Sequence, residues 1–501
     1  MSARSETAIA ESTRTVPGLP FRRQYLLAPV KLDALREWTT IIVGQDFYLH
    51  AHPDLAVCEA EAGNIRAVLA GFMIDPSRPE HTSQQVLRDV LDKARIGAEI
   101  PQAIFSITGR WALFLQEGQS LTAFHDACGL RPVFSFDGPG RHNFWCSSEP
   151  GLLAAFAQVK KDQVLLDEFE DAGGLEDREY WWPAPLSGFA EVNRLPPNHS
   201  LTIPTGEVRR YWPKAPLSAK TVEECAAKVA PMLTNEIQAA ALRQPLAITL
   251  TAGLDTRVVL AASKAVVSSA WLHTWLLPSL SASSPEVVIP RRLLAPLGLE
   301  LHVLRCNEKA EPAFAELYQS HAAFAHPYWR DIAAGLHRGF PEKRLSVKGN
   351  CSEVGRCFFY HEGYPQGEMT IERLAGFQHG WTRSLRILRA LGEWFASAVE
   401  IEKLCGIRVL DLFYWEHRLG CWQANSQVEW DLAQETFCPF NNRNILAALL
   451  SVPEEARLRS AVHFAVIREL WPELLEEPIN PKPLLRRVRH WIKKRAKRLF
   501  R

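Results

Sequence analysis

The chain has 501 residues, of which 47% are hydrophobic and 23% charged, and its formal net charge is +1. This composition is typical of a soluble globular protein with two or more domains. Its ten cysteines include no CxxC pair, which argues against a zinc site or a disulfide framework and favours reduced thiols in a cytoplasmic protein. The sequence shows neither an apolar leader nor a run of 18 uncharged apolar residues, so we predict no signal peptide and no membrane span.

A first domain is predicted over residues 21–213, after a polar arm. Within it, the periodic stretch 82–94 predicts a helix with Thr82 as its N-cap. Short segments separated by Gly- and Asp-containing turns predict successive β-strands. These segments are 110–116, 120–126, 131–137 and 142–149. The mixture indicates sheets with helices packed against them.

A proline-rich stretch, 195–218, predicts the boundary to a second domain over residues 214–481. Helical and strand patterns alternate after it, which predicts a parallel sheet built from βαβ units. In chain order, these segments are 222–242, 246–251, 256–266, 268–277, 286–298 and 299–306. Beyond about residue 365 the pattern is almost wholly helical.

The segment TAGLDT (251–256) joins one predicted strand directly to a helix. Ligands bind at the carboxyl ends of strands in open α/β sheets, and small residues there let backbone N–H groups approach a ligand. A helix N-terminus suits a phosphate, whereas Asp255 would repel a bare anion, so the pair predicts a divalent cation between them. The alternative is an ordinary strand–helix connection capped by Asp255 and Thr256.

Four motifs carry a resemblance to a known family. TAGLDT (251–256) is similar to the SGGxDS loop of ATP pyrophosphatases, and GNCSEV (349–354) is similar to a GEGADE motif. ETFCPFNN (435–442) is similar to ExRxPFLD, and 194–212 is similar to a PGhyL segment followed by Trp. In this order and spacing, the motifs make residues 60–480 resemble the asparagine synthetase and β-lactam synthetase family.

The resemblance implies a fold class of α/β plus α+β. An N-terminal-nucleophile (Ntn) hydrolase-like αββα sandwich would precede a parallel-sheet ATP pyrophosphatase domain with a helical C-terminal part. Enzymes of this family use ATP and Mg²⁺ to activate a carboxylate as an acyl-adenylate, which an amine attacks. AMP and pyrophosphate are released. The implied partners are therefore small-molecule or peptide carboxylates and amines.

By position, the resemblance assigns pyrophosphate binding to the loop formed by Thr251, Ala252, Gly253, Leu254, Asp255 and Thr256. Asp255 and Glu353 would be catalytic residues and Mg²⁺ ligands. Gly349 and Asn350 would lie against the nucleotide, and Lys482 would steady the intermediate. Arg356 could contact phosphate or form a salt bridge within the fold, and Glu435 would anchor structure or substrate.

Two departures from the family affect the expected reaction. Asn350 stands where the family has a Glu or a Tyr that helps the nucleophile, and an amide cannot act as a base. The glutaminase reaction of the sandwich needs a Cys after the initiator Met, and this chain has Ser2. We therefore expect that reaction to be lost, so the nitrogen donor would be ammonia or an amine. A lactam or macrolactam cyclase and a non-catalytic binding or assembly subunit remain alternatives.

The segment 482–501 carries ten Lys and Arg residues and no acidic residue. Its spacing predicts a basic amphipathic helix that can bind an anionic membrane surface or pack on the acidic body of the protein. No nucleic-acid module accompanies it, so no nucleic-acid partner is expected. A cytoplasmic protein, possible peripheral membrane binding and possible oligomer formation follow as expectations. Trp430 and other tryptophans are expected to pack helices.

Overall fold

A computed structural model describes residues 20–97, 99–140 and 143–481. Its strands, numbered β1 to β17 in chain order, are Tyr25–Ala28, Thr39–Val43, Phe47–Ala51, Val57–Ala62, Ile65–Ile74, Thr108–Glu117, Ser120–His125, Phe134–Asp137, Phe144–Ser147, Val192–Arg194, His199–Ile203, Val208–Arg210, Leu246–Thr249, Trp271–Leu276, His302–Arg305, Leu345–Val347 and Glu435–Phe437.

The α-helices, numbered α1 to α16, are Ser83–Arg95, Ile100–Ala103, Pro150–Phe156, Gln163–Asp171, Val222–Arg243, Leu254–Ala262, Pro285–Leu294, Pro312–His321, Pro327–Gly339, Ile371–Ala375, Leu385–Cys405, Val409–Phe413, Ala424–Trp430, Arg443–Leu450, Glu454–Leu458 and Ala461–Leu470. A π-helix, Tyr414–Gln423, joins α12 to α13. Short 3-10 helices lie at Asp33–Leu35, Gly174–Glu176, Val267–Ser269, Ala295–Leu297, Ser352–Arg356, Phe358–Tyr360, Trp381–Arg383 and Pro472–Leu475.

The first twelve strands form two six-stranded antiparallel sheets that pack face to face. Their orders are β10-β8-β9-β1-β3-β2 and β12-β11-β7-β6-β5-β4. Leu27 and Leu49 of the first sheet share a buried core with Val68 and Phe114 of the second. Helix α1 covers the outer face of the second sheet, and α3 covers the outer face of the first. These α-β-β-α layers agree with the predicted sandwich.

Local sequence signals account for these elements. Thr82 caps α1 through a capping box, because its hydroxyl accepts from the backbone N–H of Gln85 while the Gln85 side chain accepts from the backbone N–H of Thr82. The first eight residues of β6 are all buried, because one face meets the other sheet and the opposite face meets α1 and its neighbours. The predicted helix at 82–94 and the strands at 110–116 and 120–126 are thereby confirmed.

The last five strands form one parallel sheet in the order β15-β14-β13-β16-β17. The chain builds outward from β13 through β14 to β15, and then crosses to the other side of β13 to form β16 and β17. A crevice therefore opens between the carboxyl ends of β13 and β16, which is where open α/β sheets bind ligands. The predicted parallel sheet is confirmed, although the three-residue strands β16 and β17 were not predicted.

The sandwich and the parallel sheet are joined by buried polar contacts. Arg110 of β6 donates from Nη1 and Nη2 to the two carboxylate oxygens of Asp431, at 2.5 and 2.8 Å. Arg131 lies 3.7 Å from the same carboxylate. Asn441 donates to the Gly109 carbonyl at 2.7 Å. One buried apolar cluster also spans both halves of the chain.

Across residues 20–97, 99–140 and 143–481, no helix combines the length and the apolar character needed to cross a bilayer.

Candidate functional site

A cavity of about 260 Å³ opens at the carboxyl ends of β13, β14 and β16. The sequence-predicted residues on its wall are Thr251, Asp255, Thr256, Gly349, Asn350 and Glu353. Its other wall residues are Thr249, Thr274, Trp275, Leu277, Leu280, Glu286, Lys348 and Trp430. Two segments about 100 positions apart in sequence therefore meet on one surface, because β13 and β16 are neighbours in the sheet.

The loop between β13 and α6 is held in shape by its own hydroxyl groups. The Thr251 hydroxyl accepts from the Gly253 N–H at 3.0 Å, and the Thr256 hydroxyl accepts from the Thr251 N–H at 3.2 Å. The two hydroxyls also lie 3.1 Å apart. Two backbone donors are thus satisfied within the loop. Asp255 and Thr256, in the first turn of α6, lie on the cavity wall, so the positive end of the helix dipole is close to the cavity.

The three middle residues of this loop do not line the cavity. Ala252 and Leu254 are buried in the apolar core, and Gly253 occupies the N-cap position of α6. The Ala252 carbonyl accepts a 2.9 Å hydrogen bond from the backbone N–H of Asn480. The side chains of Ala252 and Leu254 therefore support the loop, and any ligand contact from these residues would have to come from the backbone.

Asp255 stands in the first turn of α6 and already forms a salt bridge with Arg356. Arg356 approaches both carboxylate oxygens through Nη1, at 2.5 and 2.7 Å. The Ser352 hydroxyl also donates to Asp255. Of the two possibilities for Arg356 from the sequence, the structure shows the salt bridge.

Glu353 lies beside Asp255 in the 3-10 helix Ser352–Arg356. Its Oε2 is buried and lacks a hydrogen-bond partner in the part of the chain that the structure describes. Burial, and then the negative charge of Asp255, raise the pKa of Glu353 to about 7, against the opposing effects of Arg356 and a hydrogen bond with Tyr414. The two carboxylates therefore face each other closely enough to repel.

Gly349 and Asn350 connect β16 to this acidic pair. A Cβ atom at Gly349 would lie 2.7 Å from the carbonyl carbon of Asp255 and 2.9 Å from the Thr256 nitrogen, so only glycine lets the two loops approach this closely. The Asn350 amide donates to Oε1 of Gln423, the last residue of the π-helix, at 3.2 Å. Asn350 thus holds a neighbouring element and offers no basic group to the cavity.

Lys348 is the main site residue that the sequence analysis missed. It follows β16 directly, is 3% exposed and lines the cavity. Its ammonium lies over the ring of Trp430 at 3.8 Å, with Trp275 at 5.0 Å. Trp430 therefore forms part of the cavity wall as well as packing against helices. The only sequence signal was position, because Lys348 immediately precedes the GNCSEV motif.

The acidic pair fits a Mg²⁺ ion in part. Mg²⁺ is commonly bound by one or two carboxylates together with substrate phosphates, and the unpartnered Oε2 of Glu353 is a free oxygen ligand. Arg356 already occupies the carboxylate of Asp255. Within the described residues, no group of three or more His, Cys, Asp or Glu side chains could hold a metal ion. Substrate phosphates would therefore have to supply the remaining ligands.

Two further predicted residues have different outcomes. Glu435 accepts a hydrogen bond from Arg131 of the sandwich at 3.2 Å, so the structure gives it an anchoring contact. Lys482 and the basic segment 482–501 lie outside the described residues, and their roles stay predictions. The chain just before Lys482 contacts the loop between β13 and α6, since the Asn480 N–H donates to the Ala252 carbonyl.

No family model matches the chain, and no curated protein matches it. Among solved structures, one match is a glutamine phosphoribosylpyrophosphate (PRPP) amidotransferase from B. subtilis complexed with ADP and GMP. It has 8% identity and a TM-score of 0.24, and the match covers 66% of this chain and 93% of that chain. Another is described as the allosteric regulatory enzyme of purine biosynthesis, with 9% identity, a TM-score of 0.24 and coverage of 64% and 77%. At these TM-scores neither likeness decides fold or function.

Proposed function

We propose that this chain is an ATP-dependent carbon–nitrogen ligase. It would activate a carboxylate as an acyl-adenylate, pass the acyl group to ammonia or an amine, and release AMP and pyrophosphate. The observation that supports this proposal best is the shared cavity of Asp255 and Glu353 at the point where the parallel sheet reverses its strand order. Such crevices bind nucleotides in many α/β proteins.

The charges around the cavity suit a departing pyrophosphate. Asp255 and Glu353 would hold Mg²⁺, which neutralises the charge that develops on the leaving group. The N-terminus of α6 directs its positive dipole end to the same region. Arg356, at hydrogen-bond distance from Asp255, adds a fixed positive charge beside the proposed metal ligands.

The attacking amine needs no base from Asn350 in this proposal. An amide cannot remove a proton, and Asn350 is engaged with Gln423. The amine would enter in its neutral form and be held against the acyl carbon. As the C–N bond forms and the C–O bond to AMP breaks, the proton lost from nitrogen would pass to the departing AMP phosphate or to solvent. A reaction of this kind should favour weakly basic amines and alkaline conditions.

A second candidate is a nucleotide-binding protein without ligase activity. It is favoured by one observation, namely that Asp255 is already neutralised by Arg356 and hydrogen-bonded to Ser352. An aspartate satisfied in this way has less need of a metal ion. The experiment below separates the two candidates.

The test is ATP–pyrophosphate exchange with a panel of carboxylic acids, with hydroxylamine added in parallel to trap any activated acyl group as a hydroxamate. We expect Mg²⁺-dependent exchange that falls at least about 100-fold in Asp255→Asn and Glu353→Gln, as for the loss of groups that stabilise a leaving group. Glu362→Gln, an exposed residue outside the cavity, is the matched control. Nucleotide binding by calorimetry without exchange or hydroxamate for any acid would contradict the ligase proposal and support the binding protein.

A further inference from the structure

Lys348 carries a buried amine that the proposed chemistry has not used. Its backbone N–H continues the sheet by donating to the Phe437 carbonyl at 2.9 Å, which fixes the residue at the carboxyl end of β16. Its side chain is 3% exposed and forms part of the cavity wall. Among the described residues, Nζ has no hydrogen-bond partner.

The groups around Nζ do little to stabilise an ammonium charge there. The nearest aromatic faces, Trp430 and Trp275, stabilise a cation only moderately, by about 0.5–2 kcal/mol in general. Asp431 is the nearby carboxylate, but both of its oxygens accept hydrogen bonds from Arg110. No carboxylate on the cavity wall accepts a hydrogen bond from Nζ.

The titratable groups near Nζ also leave an ammonium charge there without a compensating negative charge. Burial lowers the pKa of Lys348 well below its usual range, the Cys438 thiol and Asp431 oppose that effect, and Arg110 adds to it. On β14, which is separated from β16 by β13, burial and then Lys348 lower the pKa of His273 to about 3, so this imidazole is neutral. An oxyanion that entered the cavity would supply both the missing acceptor and the missing negative charge.

We propose that Lys348 binds an anionic oxygen of the ligand at the floor of this cavity, and that the amine takes up a proton as the anion arrives. The ligand class is a carboxylate or a phosphate next to an apolar or aromatic group, because Trp275 and Trp430 flank the ammonium. Which oxyanion it is rests on the proposed function, where the acyl carboxylate and the nucleotide α-phosphate both enter this region. The anion site itself does not depend on ligase activity.

The first measurement follows the ¹³Cε signal of Lys348 by NMR in the full chain, assigned by its loss in Lys348→Met. We expect the free protein to titrate far below an ordinary lysine. Saturating AMP or acetate should move the midpoint to higher pH, whereas adenosine, which lacks the anion, should not. The exposed Lys309 provides an internal control whose midpoint should not follow the ligand.

The second measurement is calorimetry with AMP, acetate and adenosine in buffers of different ionisation enthalpy. Lys348→Met should weaken the binding of the anionic probe about tenfold or more, the usual effect of losing one charge-assisted hydrogen bond, and leave adenosine unchanged. Lys348→Arg should keep the affinity within a few-fold but lose the proton uptake, because a guanidinium is always charged. This variant also serves if the Met variant fails to fold.

Each outcome decides the inference. An effect confined to AMP identifies a phosphate site, and an effect confined to acetate identifies a carboxylate site. If neither anion moves the Lys348 midpoint, or if Lys348→Met binds both anions as well as the parent chain does, the inference is wrong. Loss of ATP–pyrophosphate exchange with the anion effect intact would contradict only the ligase proposal, and the reverse result would contradict only the anion site.

Discussion

Glu353→Gln should make the protein more stable at alkaline pH. Glu353 is a partly buried carboxyl whose pKa is raised from 4.5 to about 7, by burial and then by Asp255. At about 1.4 kcal/mol for each pH unit of difference, full ionisation in the folded state would cost about 3 kcal/mol. Part of the side chain reaches the cavity, where solvent reduces this cost, so we expect an effect of about 1–3 kcal/mol.

The sign follows from proton binding. In the unfolded chain Glu353 loses its proton near pH 4.5, whereas in the folded protein it keeps the proton up to about pH 7. Between these values the folded state binds more protons than the unfolded state, so stability falls as pH rises through the window. A glutamine has no proton to lose. The variant should therefore exceed the parent by about 1–3 kcal/mol above pH 7, and by less than about 1 kcal/mol near pH 5.

Urea unfolding followed by tryptophan fluorescence at pH 5.0 and 8.5 measures this difference. Glu362→Gln, an exposed substitution nearby in sequence, should change stability by no more than about 0.5 kcal/mol at either pH. A gain in Glu353→Gln that is equal at both pH values, or absent at pH 8.5, would refute the reasoning. Mg²⁺ with ATP should stabilise the parent and not the variant, because the variant lacks a proposed metal ligand.

Two further substitutions test the contacts that hold the cavity in place. Asp431→Asn should destabilise the protein by about 3–5 kcal/mol in urea unfolding, because it leaves Arg110 buried without its partner, whereas Arg459→Ala at an exposed ion pair should cost less than about 1 kcal/mol. A cost below about 1 kcal/mol for Asp431→Asn would contradict the conclusion that the Arg110–Asp431 pair stabilises the junction between the sandwich and the sheet. Gly349→Ala should destabilise by about 1–3 kcal/mol and abolish nucleotide binding in calorimetry, because its Cβ would meet the Asp255 backbone at 2.7 Å. Unchanged binding would show that this close approach is dispensable.

Hydrophobic periodicity predicted part of the fold. The helix at 222–242 and the strand at 246–251 are present as α5 and β13, with ends that differ by no more than a few residues. The parallel pairing of β13, β14 and β15 also agrees with the predicted βαβ alternation. Strands β16 and β17 escaped prediction because three residues are too few to show a period, and their position depends on contacts with β13 across the sheet.

The sequence pointed to several of the residues that meet at the cavity, but it did not reveal how their charges are paired. The loop at Thr251–Thr256 and the segment near Glu353 stood out through small residues and a carboxylate at strand ends. Lys348 did not, since a lysine in sequence suggests a solvated surface and only the structure shows it between two tryptophans. The pairing of Arg356 with Asp255 was likewise one of two open possibilities until their positions in space were known.

The contacts between the two halves have a consequence for engineering. Asp431 and Asn441 of the sheet half find their hydrogen-bond partners on β6 of the sandwich, and the apolar cluster is continuous between them. Cutting the chain at residue 213 would leave the C-terminal fragment with Asp431 unpaired and with an exposed apolar surface. The sandwich thus supports the sheet that carries the crevice, and a smaller folded fragment should be sought by trimming loops and not by removing the first half.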